Sequence, residues 1–181
     1  MSFISVFDVI GPNMVGPSSS HTAGACAIAG LARKMNNGIL KDVSFTLYGS
    51  FAKTYRGHGT DVHPNTVDIR MENTDGKVTT VRGESTGGGK VRIVQINQVQ
   101  VDFTGEFNAV IVIQQDKPGV AAHITRCLSD LNVNIAFMRI FRESKGETAY
   151  TIVESDEKLP DDIPLQLKIN PHIHDVMLIQ N

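Results

Sequence analysis

Apolar residues Ile28, Leu31, Ala32 and Met35 recur at the i, i+3, i+4, i+7 spacing of a single helix face. This spacing predicts a helix that follows Gly16-Pro17-Ser18-Ser19-Ser20-His21-Thr22 and stops at Asn36-Asn37-Gly38. Its first half, rich in Ala and Gly from Ala23 to Gly30, is thin enough for a sheet or backbone to approach closely. The period then changes to two. Val43, Phe45 and Leu47 alternate with Ser44, Thr46 and Tyr48, predicting a strand over Asp42–Phe51. After an irregular stretch from Tyr55 to Pro64, strands are predicted near Thr66–Glu72, Lys77–Arg82, Lys90–Ile96 and Val99–Phe103. Asp75-Gly76 turns the first two of these into a hairpin. Residues 1–104 therefore read as an α+β unit with a mainly antiparallel sheet.

Gly105-Glu106-Phe107 marks a junction. Beyond it, residues 107–181 read as strand (Asn108–Gln114), helix (Pro118–Leu131), strand (Ile135–Glu143), strand (Thr148–Ser155), helix (Pro160–Leu167), strand (His172–Ile179). That βαββαβ order is the ferredoxin-like pattern. Proline at the start of the first of these helices loses nothing, because its missing N–H would have no partner there.

With 181 residues, 41% of them hydrophobic, the chain can form one medium domain or two small ones. A formal net charge of -2 provides no field for nucleic acid. No apolar run approaches the ~20 residues of a membrane span, and Met1–Phe7 has no basic signal-peptide region. The expectation is a cytoplasmic protein. Cys26 and Cys127 are the only cysteines. Two thiols cannot ligate an iron–sulfur cluster, so both are expected to be small buried hydrophobes and any cluster must be held by another chain.

Candidate chemistry concentrates in a few places. Ser18, Ser19, Ser20, His21 and Thr22 crowd a helix start, where unpaired N–H groups and the positive dipole end suit a carboxylate or phosphate. The plainer reading is a serine cap, and which serine caps stays open. Gly57-His58-Gly59-Thr60-Asp61 sets an imidazole between glycines, so backbone can bring a proton-transfer group close to a ligand. Asp61 could orient it; an ordinary surface turn is the alternative. Ser85-Thr86-Gly87-Gly88-Gly89-Lys90 fails the phosphate-loop pattern, because glycine stands where lysine should follow and a strand comes next. It reads as a tight turn whose amides could face a small anion. The loop from Asp116 through Pro118 to Gly119 could hold an amino-acid carboxylate on its N–H groups. His172 and His174 share a strand face without a third ligand, and with His123 they read as surface residues.

Taken in order, Ser2–Pro12, Gly16–Gly24, Leu47-Tyr48-Gly49-Ser50, Gly57–Asp61, His63-Pro64-Asn65-Thr66 and Gly87-Gly88-Gly89 resemble the iron–sulfur-dependent L-serine dehydratases, specifically the beta subunit of the two-chain form. The C-terminal half resembles an ACT domain, a fold that senses small ligands, usually amino acids. The resemblance implies removal of water from L-serine to an enamine that becomes pyruvate and ammonia. It implies a 4Fe-4S cluster ligated by the alpha subunit, with no metal ligand in this chain. Catalysis would fall to His58, Thr60 and Asp61, and substrate binding to Ser18, Ser19, Ser20, His21, Thr22, Gly87, Gly88 and Gly89. An amino-acid ligand of the ACT domain would meet Asp116, Pro118, Gly119 and Asn134, and ACT domains would pair to form a homodimer. The first half is also similar to the allosteric substrate-binding domain of some 3-phosphoglycerate dehydrogenases, which implies a rival role as a regulatory module without chemistry. One departure stands out: Asp61 runs directly into Val62-His63-Pro64, where the family carries a helical stretch.

Overall fold

The structure, a computed structural model, describes residues 21, 23–51 and 65–181. Helix α1 (Gly24–Lys34) buries Gly24, Ile28, Leu31 and Ala32, and Met35 just beyond it is buried too. The predicted apolar stripe is therefore the face the helix packs with. Arg33 and Lys34 complement the dipole in its last turn. Cys26 points away from that stripe and is exposed, correcting the expectation of burial; Cys127 is half-buried.

Five strands follow as an antiparallel meander in the order β1 (Leu40–Leu47), β2 (Thr66–Asn73), β3 (Val78–Gly87), β4 (Lys90–Ile96), β5 (Val99–Phe103). Strand β1 ends before the predicted Phe51 because Gly49, at φ 53°, takes the chain out of the strand into a helical turn at 49–51. Strand β3 runs five residues past its predicted end at Arg82 and keeps register with β2 through Thr66↔Glu84. Phe45 pairs with Ile69 and Ile69 with Val81, so alternate residues line one face, which α1 covers across β2, β3 and β4.

The helix lies unusually close to β3. A Cβ on Gly83 would overlap Ile28 Cγ2 and stand 3.0 Å from its Cγ1. A Cβ on Gly24 would overlap Ser85 Oγ and lie 2.6 Å from Ser85 Cβ.

The second sheet has the order β7 (Phe137–Arg142), β8 (Thr148–Ser155), β6 (Asn108–Gln115), β9 (Ile173–Ile179), all antiparallel neighbours. With α2 (Val120–Asp130) and α3 (Ile163–Leu167) in the connections, this is the ferredoxin-like arrangement. Val110, Val112 and Val176 pack under Ile124, Leu128, Ile163 and Leu167. The opposite face, carrying Ala109, Ile111, Tyr150, Ile152, Met177 and Ile179, joins Leu31, Met35, Ile96 and Phe103 in one apolar core. Helices thus cover one side of this sheet and the first unit covers the other.

Polar contacts surround that shared core. Asn97 Nδ2 donates to Tyr150 Oη at 2.7 Å, and Arg139 bridges Asp102 (3.2 Å) and the nearly buried Glu154 (2.7 Å). Asp175 on β9 accepts from Lys77 of the β2–β3 turn and from Lys168 at 2.9 Å, while Asn37 donates to Val176 O at 2.7 Å. Burial opposes ionisation of Asp175, but the two lysines outweigh it and hold the carboxyl below its usual range. Among the described residues no helix is long and apolar enough to cross a membrane.

Gly83→Ala is expected to lower stability by about 1–3 kcal/mol through overpacking against Ile28, measured by denaturant unfolding. A carboxyl with a lowered native pKa contributes stability that is full above its ordinary range and lost as pH falls through the lowered value. Asp175→Asn should therefore unfold at a higher pH than the parent chain in an acid titration, with little further pH dependence between them near neutrality.

Candidate functional site

Four chain segments meet at the start of α1. His21 stacks edge-on against Phe51 at 5.7 Å between ring centroids, and Phe51 is fully buried. Phe51 also comes within 3.9 Å of the position a Gly24 Cβ would occupy. The Ser85 N–H donates to Asn65 O at 2.9 Å. Phe51 and Asn65 flank residues 52–64, so both ends of the segment that contains Gly57–Asp61 are anchored beside the first turn of α1. Ala23, the residue before that turn, makes no side-chain cap. Ser85 is fully buried beneath it, and its Oγ has no hydrogen-bond partner among the described residues. A burial of this kind leaves a donor without its hydration.

Of the residues predicted here, Ser18, Ser19, Ser20, Thr22, His58, Thr60 and Asp61 lie outside the described residues. His21 lies within them, half-buried at the junction. Gly87, Gly88 and Gly89 form the β3–β4 turn, with φ of 97°, 61° and 81°. Gly88 and Gly89 line a cleft of about 480 Å³ along the flank of α1, with Gly30, Leu31, Lys34 and Lys90. Ser85, read from sequence as part of this glycine-rich corner, is instead a buried β3 residue. The signal that could have found it is period-two alternation through Val81, Gly83 and Ser85, which the small side chains obscure.

On the other face of the first sheet, Arg82 grips Asp68 with two bonds of 2.6 and 2.7 Å, Tyr48 Oη donates to the same carboxylate at 2.9 Å, and Arg82 lies over the Tyr48 ring. Burial works against the Asp68 charge, yet these donors hold its pKa down. Burial and the neighbouring carboxylate push the Tyr48 hydroxyl up. The charges satisfy one another, so this cluster clamps β2 to β3 and offers no reactive group.

In the second unit, Asp116 accepts from Arg142 (2.6 Å) and from the Gly146 N–H (3.0 Å); the amide and the guanidinium together lower its pKa. Pro118 and Gly119 form the turn before α2, whose first turn lacks a side-chain cap. Asn134 lies past the far end of α2, about 16 Å of helix away, in a cleft with Thr125, Ser129 and Glu157. Within one chain, Asp116, Pro118 and Gly119 therefore stand together and Asn134 stands apart.

No group of three or more His, Cys, Asp or Glu among the described residues could hold a metal ion. Cys127 Sγ lies 3.5 Å from His123 Nε2, and burial raises its pKa, which disfavours the thiolate a cluster needs. His174 is exposed on β9 and His172 half-buried in the turn before it, without a third partner. The donor set described here does not fit an iron–sulfur cluster.

Comparison with known proteins bears on both halves. Residues 5–62 match the family model of the serine dehydratase beta chain, and residues 109–168 match the ACT domain. The chain is 32% identical over 219 aligned positions to the probable L-serine dehydratase, beta chain, of Bacillus subtilis (strain 168), covering 99% of each. It is 31% identical over 204 positions to the L-serine dehydratase, beta chain, of Peptoniphilus asaccharolyticus, covering 90% of this chain and 92% of that one. A shorter match, 38% identical over 88 residues, relates 49% of this chain to 17% of the D-3-phosphoglycerate dehydrogenase of Bacillus subtilis (strain 168). An alignment of 219 positions exceeds the 181 residues here, so the Bacillus relative carries residues this chain lacks. The serine dehydratase match stops at Val62, where Asp61 runs into His63-Pro64.

Positive φ throughout the β3–β4 turn disfavours any side chain, even though space is open beside it. Gly88→Ala should cost about 1–2 kcal/mol of stability, read from the denaturation midpoint.

Proposed function

We propose, from the membership of this chain in the L-serine dehydratase beta-chain family, that it acts in the cytoplasm as the beta subunit of a two-chain L-serine ammonia-lyase. The single observation that carries this reading is the convergence at the start of α1, where His21, Phe51, Gly24, Asn65 and Ser85 bracket the segment bearing His58. The hydroxyls of Ser18, Ser19, Ser20 and Thr22 offer donors to a substrate carboxylate ahead of α1. His58 takes the α-proton, with Asp61 and Thr60 orienting it. The 4Fe-4S cluster, held by the alpha subunit, supplies Lewis-acid polarisation of the serine hydroxyl when bound. The turn at Gly87–Gly89 completes the substrate side, and the ACT half, paired with a second copy, receives a small amino acid at the Asp116–Gly119 loop, with Asn134 contributed across the pair.

A second reading has its own support: the serine dehydratase match ends at Val62 and the chain is shorter than the Bacillus relative, while the ACT match covers residues 109–168. On that reading the protein is an amino-acid-sensing module without chemistry. Reconstitution separates the two. The chain alone should not convert L-serine to pyruvate, whereas the complex with an alpha subunit and an intact cluster should. His58→Ala should reduce turnover by roughly 10²-fold or more while the complex still assembles. An inactive complex whose melting temperature nevertheless rises with L-serine would establish the sensing module instead.

A further inference from the structure

We propose that the face of the first sheet turned away from α1 holds a small-molecule site of its own, which binds a small α-amino acid as its zwitterion between Asp68 and Arg70. The site is separate from the catalytic role proposed above and does not depend on it. Thr46, Asp68, Arg70, Thr80, Arg82 and Gln95 line a cavity of about 220 Å³ there. Sites for drug-sized ligands run from about 300 to 1,000 Å³, so this one admits only a small molecule. The hollow has a cause in the backbone. Arg82 faces Gln95 but Gly83 faces Ile93, so β4 carries one extra residue at Val94. An insertion of this kind bends a strand and re-aims its side chains. Cross-strand pairing sets Asp68 beside Thr46 and Arg82, and Arg70 beside Ser44 and Thr80. Asp68 and Arg70 are successive residues on this face of β2, about 7 Å apart along the strand. Both keep bonding capacity. Asp68 accepts three hydrogen bonds from Arg82 and Tyr48, and a carboxylate has about four lone-pair sites. Arg70 gives one bond, from Nη2 to Glu72, and its other N–H groups make none among the described residues. The hydroxyls of Ser44, Thr46 and Thr80 are also without a partner among them. A simple anion would meet the Asp68 carboxylate in this hollow, and a simple cation would meet two guanidiniums. A zwitterion satisfies both, with its ammonium on Asp68 and its carboxylate on Arg70, and the hydroxyls and Gln95 surround a short polar side chain. Asn97, at one end of the cavity, accepts from the Thr80 N–H and donates to Tyr150 Oη, which places the site beside the contact between the two halves.

The test follows the backbone amide resonances of the full chain by NMR as L-serine is added, in the absence of any other subunit. The amides of Thr46, Thr80, Gln95 and Asn97 are expected to move saturably. Arg70→Ala, a change at an exposed residue, should weaken that response about tenfold or more, in line with a lost hydrogen bond between charged groups. Thr80→Val, which keeps the shape and removes the hydroxyl, should weaken it severalfold. Glycerate, which carries a hydroxyl in place of the ammonium, and serinol, which lacks the carboxylate, should each bind at least tenfold more weakly than L-serine. Unmoved amides at these four positions would overturn the site, as would movement confined to the Asp116–Gly119 loop or to the surroundings of His21. A response undiminished in Arg70→Ala, or one given equally by glycerate or inorganic phosphate, would overturn the zwitterion assignment. Failure of the complex with an alpha subunit to turn over L-serine sinks the proposed function and leaves these resonances, and the site they report, unaffected.

Discussion

The close seating of α1 on β3 is the constraint from which the rest of the first unit follows. Two positions without side chains, Gly83 under Ile28 and Gly24 over Ser85, let the helix approach the sheet more closely than ordinary side chains allow. The approach sets the depth of the core formed by Ile28, Ile69, Val81 and Ile93. It also fixes where the helix begins relative to the end of β3. Because Ser85 bonds Asn65 and Gly24 neighbours Phe51, the same contact brings together the two points that flank residues 52–64. The fit of a helix against a strand thus brings His21, Phe51, Asn65 and Ser85 to one place.

The second sheet is joined to this unit through apolar area and not through a tether. Its helix-free face would be open to water in isolation; here Ala109, Ile111, Ile152 and Met177 complete the core begun by Leu31, Met35 and Phe103. Arg139 and Asp175 lie at the margins of that contact and take carboxylate or lysine partners from both halves. Partly buried ion pairs of this kind add modest energy, because desolvation offsets much of the attraction. Their contribution is to orientation: they allow one register of β9 against the β2–β3 turn.

Much of this was legible in the residues. The stripe Ile28, Leu31, Ala32, Met35 identified the buried face of α1, and strands β4, β5 and β8 have their predicted limits. These segments are long or strongly periodic, and local preference agrees with tertiary context. The misreadings have a common cause in small or special residues. Glycine at 49 ended β1 early, and glycine at 119 delayed α2 to Val120. The run Gly83-Glu84-Ser85 looked like the approach to a turn because its inward-facing positions are small, although smallness is what the helix requires of them. Cys26 was misplaced because residue type was weighed above helical phase; it lies on the opposite side of α1 from Gly24 and Ile28. Neither the joint core nor the proximity of Asn65 to Ser85 could be read locally, since both depend on pairings between distant segments.

The joint core has a consequence for any attempt to divide the molecule. A cut at Gly105 would leave one fragment with Leu31, Met35 and Phe103 bare and the other with an uncovered sheet face centred on Ile111 and Ile152. Neither piece would have a finished surface, and each would be sticky in water. The two halves therefore melt as a single cooperative body, and a push delivered to one arrives at the other through solid contact.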